Sequence, residues 1–510
     1  MKNRTTVALV LGLAFATAAE AAQKPPARPD PLAGFDAQVA QAVKDWRAPG
    51  LAIAVVKDGA LIFSKGYGVR ELGRADPVDS HTLFAIGSTT KALTAASIGM
   101  LVDEKKLGWD DPVTKHLPWF ALKDPMLTRE LTVRDLLTHR AGLPSADFLW
   151  YGQANSPRSI LEKMRLVEPA FPARSGFIYQ NVMYAAAGAV IEAASGMPWE
   201  RFIESRIFAP LGMTGSIVTA ATLGSRPNRA EPHYIIEGTV TRIENASVDG
   251  VAPAGSIWSS VDDMSKWMRL LLANGAASGG PRLLSEATVA DLFQPQTMVT
   301  QTAFYPTAQI TKPSWTTYGL GWFQQDYAGL KLDYHTGSID GMVAICGLIR
   351  SQGIGVYVLS NLDHAELRHA LMFTAFDRLL GRPARDWSGE FRALYAKLQK
   401  EGEEEEAKGD APRTPGTKPS LPLLAYAGEY TDPLFGAVEV SIDPAGPSLR
   451  ARYGAAFTGN LEHWNFDTFR ARWDAKWRGI SPASFILDAN GRPAELRMMG
   501  AVFRRKVEGR

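Results

Sequence analysis

The stretch Ser88-Thr89-Thr90-Lys91-Ala92-Leu93-Thr94-Ala95-Ala96-Ser97-Ile98-Gly99-Met100-Leu101-Val102 decides how this chain is read. At a helical pitch its small and apolar residues fall on nearly every face, so the spacing predicts a helix that must be buried all round. Lys105 and Lys106 suit the negative end of that helix, and Leu107-Gly108 is its stop. If Gly87 precedes the helix and Ser88 opens it, Ser88 and Lys91 lie one turn apart on the same face. A serine hydroxyl is a weak nucleophile until a base takes its proton, and the N–H groups of a helix start favour developing negative charge. A lysine in a dry pocket can lose its charge and serve as that base. Taken alone, Ser-x-x-Lys also reads as an ordinary helix start capped by serine.

Two further motifs give it company. Tyr179-Gln180-Asn181 is the only Tyr-x-Asn in the chain, and His335-Thr336-Gly337 is the only His-x-Gly. Singly, Tyr179 reads as a packed aromatic and His335 as a satisfied strand histidine. In the order Ser-x-x-Lys, Tyr-x-Asn, His-Thr-Gly, the chain resembles the class C β-lactamase-like family of penicillin-recognising serine hydrolases, which also contains D-aminopeptidases, D,D-carboxypeptidases and esterases. The resemblance runs from about Phe35 to Leu380. Trp46-Arg47-Ala48-Pro49-Gly50, residues 136–144, Pro210-Leu211-Gly212-Met213 and Pro253-Ala254-Gly255 also resemble family signatures and read mainly as scaffold.

The resemblance implies roles. Ser88 attacks a carbonyl, Lys91 and Tyr179 move protons to and from it, and His335 stands on the strand beside the site. Asn181, Thr336, Gly337 and Ser338 are expected to bind substrate, with Asn181 holding an amide and Gly337 leaving the strand edge open. The backbone N–H groups of Ser88 and Ser338 are the expected oxyanion donors. Because a phenol titrates near ~10, positive charge on Lys91 or His335 is expected to depress Tyr179. No Lys-Thr-Gly or Lys-Ser-Gly exists anywhere in the chain. His335 replaces that fixed charge with one present only near or below its pKa of ~6.5, which shifts weight from antibiotic hydrolysis towards esters and D-peptides. The expected function is an exported serine hydrolase acting through an acyl-enzyme on small esters, peptides or amides. A β-lactamase or D,D-carboxypeptidase is the alternative within the family, and a slowly acylated binding or sensor protein the alternative outside it.

The order of elements gives the fold class. Residues 51–57 and 61–68 are β-type runs joined by the turn signal Asp58-Gly59. A helical middle follows (133–137, 184–194, 199–208, 259–272, 285–292), and strands return at 318–324, 332–336, 342–349 and 355–359. This is an α+β pattern, and the resemblance makes it a β-lactamase/transpeptidase-like domain with an antiparallel sheet between helices and an all-helical region. A helix at 391–400 leads into the acidic run 401–406 and a Pro-rich linker. Beyond Leu421 the period changes to two, and short strands predict a small all-β barrel-like domain that resembles the lipocalin-like unit of some family members. The expected division is signal peptide 1–21, leader 22–34, hydrolase domain 35–385, helix and linker 386–420, and β domain 421–510.

Composition narrows the rest. At 510 residues the chain exceeds one ordinary core. With 46% hydrophobic and 21% charged residues it is globular, and a net charge of +2 without a basic stripe argues against nucleic acid. Lys2 and Arg4, the apolar residues 7–16 and Ala19-Glu20-Ala21 form an export signal with cleavage expected after Ala21, giving a periplasmic or secreted protein. No other segment is long enough to span a bilayer. The lone Cys346 permits no internal disulfide. His364 and His369 have the wrong spacing for one helix face and no His-Glu-x-x-His occurs, so no metal and no cofactor is expected. No Gly-x-Ser-x-Gly elbow is present. Phe148, Trp150 and Tyr151 are candidates either for lining the cleft or for core packing.

Overall fold

Asp58 and Gly59 take φ of 49° and 76°, the paired positive values of a tight hairpin turn, and fold Gly50–Lys57 (β1) back on Ala60–Gly68 (β2). The computed structural model describes residues 30–409, 413–444 and 446–506, so the export segment and residues 22–29 of the leader lie outside it. The hairpin forms one end of an eight-stranded antiparallel sheet. Its other principal strands are Thr297–Met298 (β3), Thr316–Tyr318 (β4), Phe323–Tyr327 (β5), Leu330–Ile339 (β6), Met342–Ile349 (β7) and Ile354–Ser360 (β8). The order β2-β1-β8-β7-β6-β5-β4-β3 joins both ends of the domain in one sheet.

Side-chain alternation along these strands feeds two separate cores. Ala52, Ala54, Ala344, Cys346 and Tyr357 face a core shared with the helices Thr90–Asp103 (α2), Asn181–Ser195 (α3) and Val261–Leu272 (α4). Leu51, Ile53, Val343, Ile345 and Val358 face a second core with Phe35–Asp45 (α1), Leu367–Leu379 (α5) and the start of Trp387–Gly409 (α6). Covering on both faces is why β1 is buried continuously from Gly50 to Val56. Helix α2 is buried from Thr90 to Leu101, as its all-round apolar pattern requires. It stops at Asp103, followed by Lys105 at φ 58°. The expected strand at 318–324 is instead a hairpin, β4 and β5, broken where Gly321 takes φ 85°. Helix α5 was not legible in the sequence, and α6 extends well past the expected 391–400, carrying the start of the acidic run as helix.

The C-terminal unit is a closed eight-stranded antiparallel barrel running from Gly428–Asp432 (β9) to Ala501–Arg505 (β16), closed by β9 against β16 at Tyr430↔Arg505. Tyr430, Leu449, Phe469, Trp473, Phe485 and Phe503 fill its interior. It touches the larger domain through the 147–152 loop. Phe148 packs on Phe435 with ring centroids 4.4 Å apart, and Tyr151 meets Phe457 at 6.1 Å. Phe148 and Trp150 also pack against the main core, as the core-packing alternative has it, while Phe148 and Tyr151 seat the barrel. Among the described residues no helix is long and apolar enough to cross a membrane.

Candidate active site

Two glycines set the geometry. Gly87 opens a 3-10 turn (Gly87–Thr89) at φ 52°, and a Cβ there would lie 2.6 Å from Ser338 N. Across from it, a Cβ on Gly337 would lie 1.9 Å from Ile86 O and 2.9 Å from Ser88 N. Such distances exclude any side chain, so the turn and β6 dock backbone to backbone and the N–H groups of Ser88 and Ser338 are drawn to one place. Strand β6 pairs with β7 through Ile339, whereas its pairing with β5 ends at Tyr334. From His335 onward one edge of β6 is therefore open beside Ser88.

The turn runs directly into α2, and Ser88 is not a side-chain cap. Lys91, one turn on, is fully buried. Its Nζ lies 2.9 Å from Ser88 Oγ, 2.7 Å from Asn181 Oδ1 and 2.9 Å from Ala254 O. Burial pushes the Lys91 amine well below its ordinary value, and Asp147 offsets this only in part. A neutral amine has two N–H groups and one lone pair. In that form the oxygens of Asn181 and Ala254 would accept the two N–H groups, leaving the lone pair for the Ser88 hydroxyl.

Tyr179 neighbours Ser88, and Lys91 Nζ sits over its ring, 4.7 Å from the centroid. Its titration runs opposite to expectation. Burial raises the phenol well above 10, outweighing the lowering influence of Ser88, so Tyr179 is a protonated phenol at neutral pH. The same burial also lowers the Lys91 amine and the His335 imidazole, the latter to about 3, which weakens the charge expected to depress the phenol.

His335 is committed on both sides. Its Nδ1 lies 2.5 Å from Thr336 O, which can only accept, so Nδ1 carries the proton. Its Nε2, 3.0 Å from the Tyr318 hydroxyl, is then the acceptor. Its ring centroid is 6.1 Å from that of Tyr179. The Thr336 hydroxyl bonds Tyr305 at 2.8 Å, and Ser338 is exposed at the rim. Asn181 gives its Oδ1 to Lys91 and donates from Nδ2 to Asp147 at 3.0 Å, so both ends of its amide are engaged within the protein. The eight residues singled out by the motifs thus come from the Gly87–Thr89 turn and the α2 it opens, the segment leading into and opening α3, and β6.

Several neighbours escaped the sequence reading. Asp147 also accepts from Trp150 Nε1 at 2.7 Å; burial raises its carboxyl, and these bonds and Lys91 pull it back. His139, fully buried with φ 56°, accepts from Gln180 N–H at its Nδ1 (3.0 Å) and lies 4.2 Å ring to ring from Tyr179, so it anchors the Tyr-x-Asn segment. It lies within the 136–144 stretch that reads as scaffold; Asp147 and Tyr318 left no motif to find.

Comparison with known proteins shows the family and the fold. A "Beta-lactamase" family model matches residues 35–376, and one described as "Domain of unknown function (DUF3471)" matches residues 412–509. The chain is 30% identical over 506 residues to the unguisins hydrolase ungD of Aspergillus violaceofuscus, covering 91% of this chain and 87% of that protein. Among solved structures, the octameric penicillin-binding protein homologue from Pyrococcus abyssi is similar in fold, with TM-score 0.61 and 23% identity over 93% of this chain and 99% of that one. SurE with D-Leu is similar at TM-score 0.54 and 22% identity over the same shares. With the family model spanning most of its length, the chain belongs to the beta-lactamase family of serine hydrolases.

Proposed function

We propose that this protein hydrolyses small esters, or peptides and related amides, through an acyl-enzyme on Ser88. The observation that carries the reading is the set of Lys91 partners: two acceptor oxygens and one hydroxyl around a buried amine. Lys91 takes the Ser88 proton, Oγ attacks the substrate carbonyl, and the new oxyanion accepts from the N–H groups of Ser88 and Ser338. The proton then passes to the leaving oxygen or nitrogen, with the protonated Tyr179 phenol as relay. Water repeats the sequence in reverse and frees the serine. His335, neutral and held by Tyr318 and Thr336, orients the strand rather than exchanging protons with Ser88.

The neutral His335 also supports weak β-lactamase activity, since it offers a substrate carboxylate no charge at pH 7. The neighbour solved with D-Leu is the reason to include D-residue peptides among the substrates. The Lys2-to-Ala21 pattern supports export to the periplasm or medium, and a mature N-terminus at Ala22 is the expected result of sequencing the exported protein. The deciding experiment compares short-chain p-nitrophenyl esters, D-alanyl amides and nitrocefin on the purified chain. Turnover of an ester or amide that disappears in Ser88→Ala is expected. Labelling of Ser88 by a fluorophosphonate with no turnover of any substrate would favour a slowly acylated binding protein, and nitrocefin turnover matching that of the best ester would overturn the specificity.

A further inference from the structure

The Gly337 carbonyl and the Ser338 N–H belong to one peptide unit, and its two ends face different partners. The N–H end lies against the Gly87–Ser88 turn. At the other end, Arg368 Nη1 donates to Gly337 O at 2.6 Å, to Ser338 Oγ at 2.9 Å and to Ala344 O at 3.2 Å. Gly337 and Ala344 are register partners on β6 and β7, so one guanidinium pins both strands behind the site.

Arg368 stands at the N-terminal end of α5 and is only 4% exposed. Its Nε and Nη2 bond the two oxygens of Glu366 at 3.1 and 2.9 Å, and Glu366 also accepts from His369 Nδ1 at 2.7 Å. Burial works against charge on both partners; Arg368 together with His369 more than offsets it for Glu366, which stays well below the usual carboxylate range, and Glu366 does so for Arg368, which stays a cation. A buried ion pair is weak evidence for stability, since apolar replacements are often as good. What such replacements would remove is a full positive charge aimed at the oxygen of one particular amide. A charge-assisted bond to an amide oxygen draws electron density along the peptide and makes its N–H a stronger donor.

We propose that Arg368 is a positioning residue for the oxyanion hole: its hydrogen bond to the Gly337 carbonyl fixes and polarises the Gly337–Ser338 peptide, so that the Ser338 N–H binds the oxyanion more strongly. The inference rests on the reading of Ser338 N–H as an oxyanion donor.

The test removes the charge without leaving a lone buried ion, in the full chain carrying Arg368→Gln with Glu366→Gln. With a p-nitrophenyl ester, kcat is expected to fall about tenfold while KM stays within about twofold, less than the ~10²–10³ lost when a donor is removed outright. Infrared spectra of the acyl-enzyme formed with a slowly deacylating ester should show the acyl carbonyl band at higher wavenumber, because a weaker donor polarises it less. Arg368→Lys should recover most of kcat and return the band part of the way. A folded double variant with unchanged kcat and an unshifted band overturns the proposal, as does a rise in KM alone. Should the double variant fail to fold, the band is read in Arg368→Lys, where a shift supports the proposal and no shift overturns it. Wild-type protein that resists fluorophosphonate and turns over no ester removes the reading of the site itself; turnover lost in Ser88→Ala beside an unaffected double variant removes only the role of Arg368.

Discussion

The sheet domain and the barrel are both antiparallel β structures filled with aromatics, yet they treat charge differently. Lys91, His139, Asp333, His335, Glu366 and Arg368 are all buried in the first, whereas the described residues lining the barrel interior are apolar or aromatic throughout. Buried ionisable groups are tolerated only where each finds partners, and they gather where chemistry needs shifted titration. The barrel core is built for cohesion alone. Its influence on the site must come from its surface: Trp477 Nε1 and Arg478 reach Asp340 at 3.3 and 3.4 Å, two residues beyond Ser338, and the Tyr151 hydroxyl meets the same carboxylate at 2.9 Å.

The contrast can be broken first at its charged end. Ser88→Ala should lower ester turnover by at least ~10³-fold with the melting curve unchanged. Lys91→Ala should act comparably and remove the acid limb of the kcat/KM profile; in the wild type that limb should lie far below 10.5, because burial lowers the Lys91 amine and the neutral form is the active one. His335→Gln should leave the limb in place, since His335 is already neutral above about 3.

Next, Gly337→Ala should lower kcat by ~10²-fold, as the added methyl forces β6 away from Ile86 O and displaces an oxyanion donor. In the apolar region, Phe485→Ala should destabilise the barrel by ~3–5 kcal/mol, read by denaturant titration, and leave the pH profile of hydrolysis untouched. Acid should weaken the sheet domain selectively. His139 and His335 have folded pKa values below their unfolded ones, so the unfolded chain binds more protons between about 6.5 and 3, and stability should fall as pH drops through that window. The smallest effect on kcat is expected at the contact itself: Arg478 and Asp340 are largely buried there, so Asp340→Ala should cost ~3–5 kcal/mol of stability while changing KM more for bulky than for short-chain esters.

The difference also explains what was legible in the sequence. Helix α2 was readable because nearly every residue is small or apolar, and the Ser88, Tyr179 and His335 motifs because each is a local pattern. Helix α5 was not, because Arg368, His369 and Asp377 are buried among its apolar residues and erase the amphipathic signal. In the barrel, Phe457–Asn465 went unread although its inward residues alternate, since Gly459 stands at one inward place and His463 and Trp464 blur the period. The Asp147–Asn181–Lys91 chain and the Tyr318–His335 bond join residues far apart in sequence, and no spacing rule reaches them. The direction of the Tyr179 shift escapes the sequence for a related reason: the burial that raises the phenol also lowers the Lys91 amine and the His335 imidazole.

The mutual docking of Gly87 and Gly337 carries a consequence for how such a molecule changes over time. Where two main chains meet with only hydrogens between them, no side chain fills the gap between the Gly87 turn and β6, and none can be introduced there without parting them. Room for a side chain to change therefore lies further out, at Phe148, Tyr151 and the barrel face seated on them.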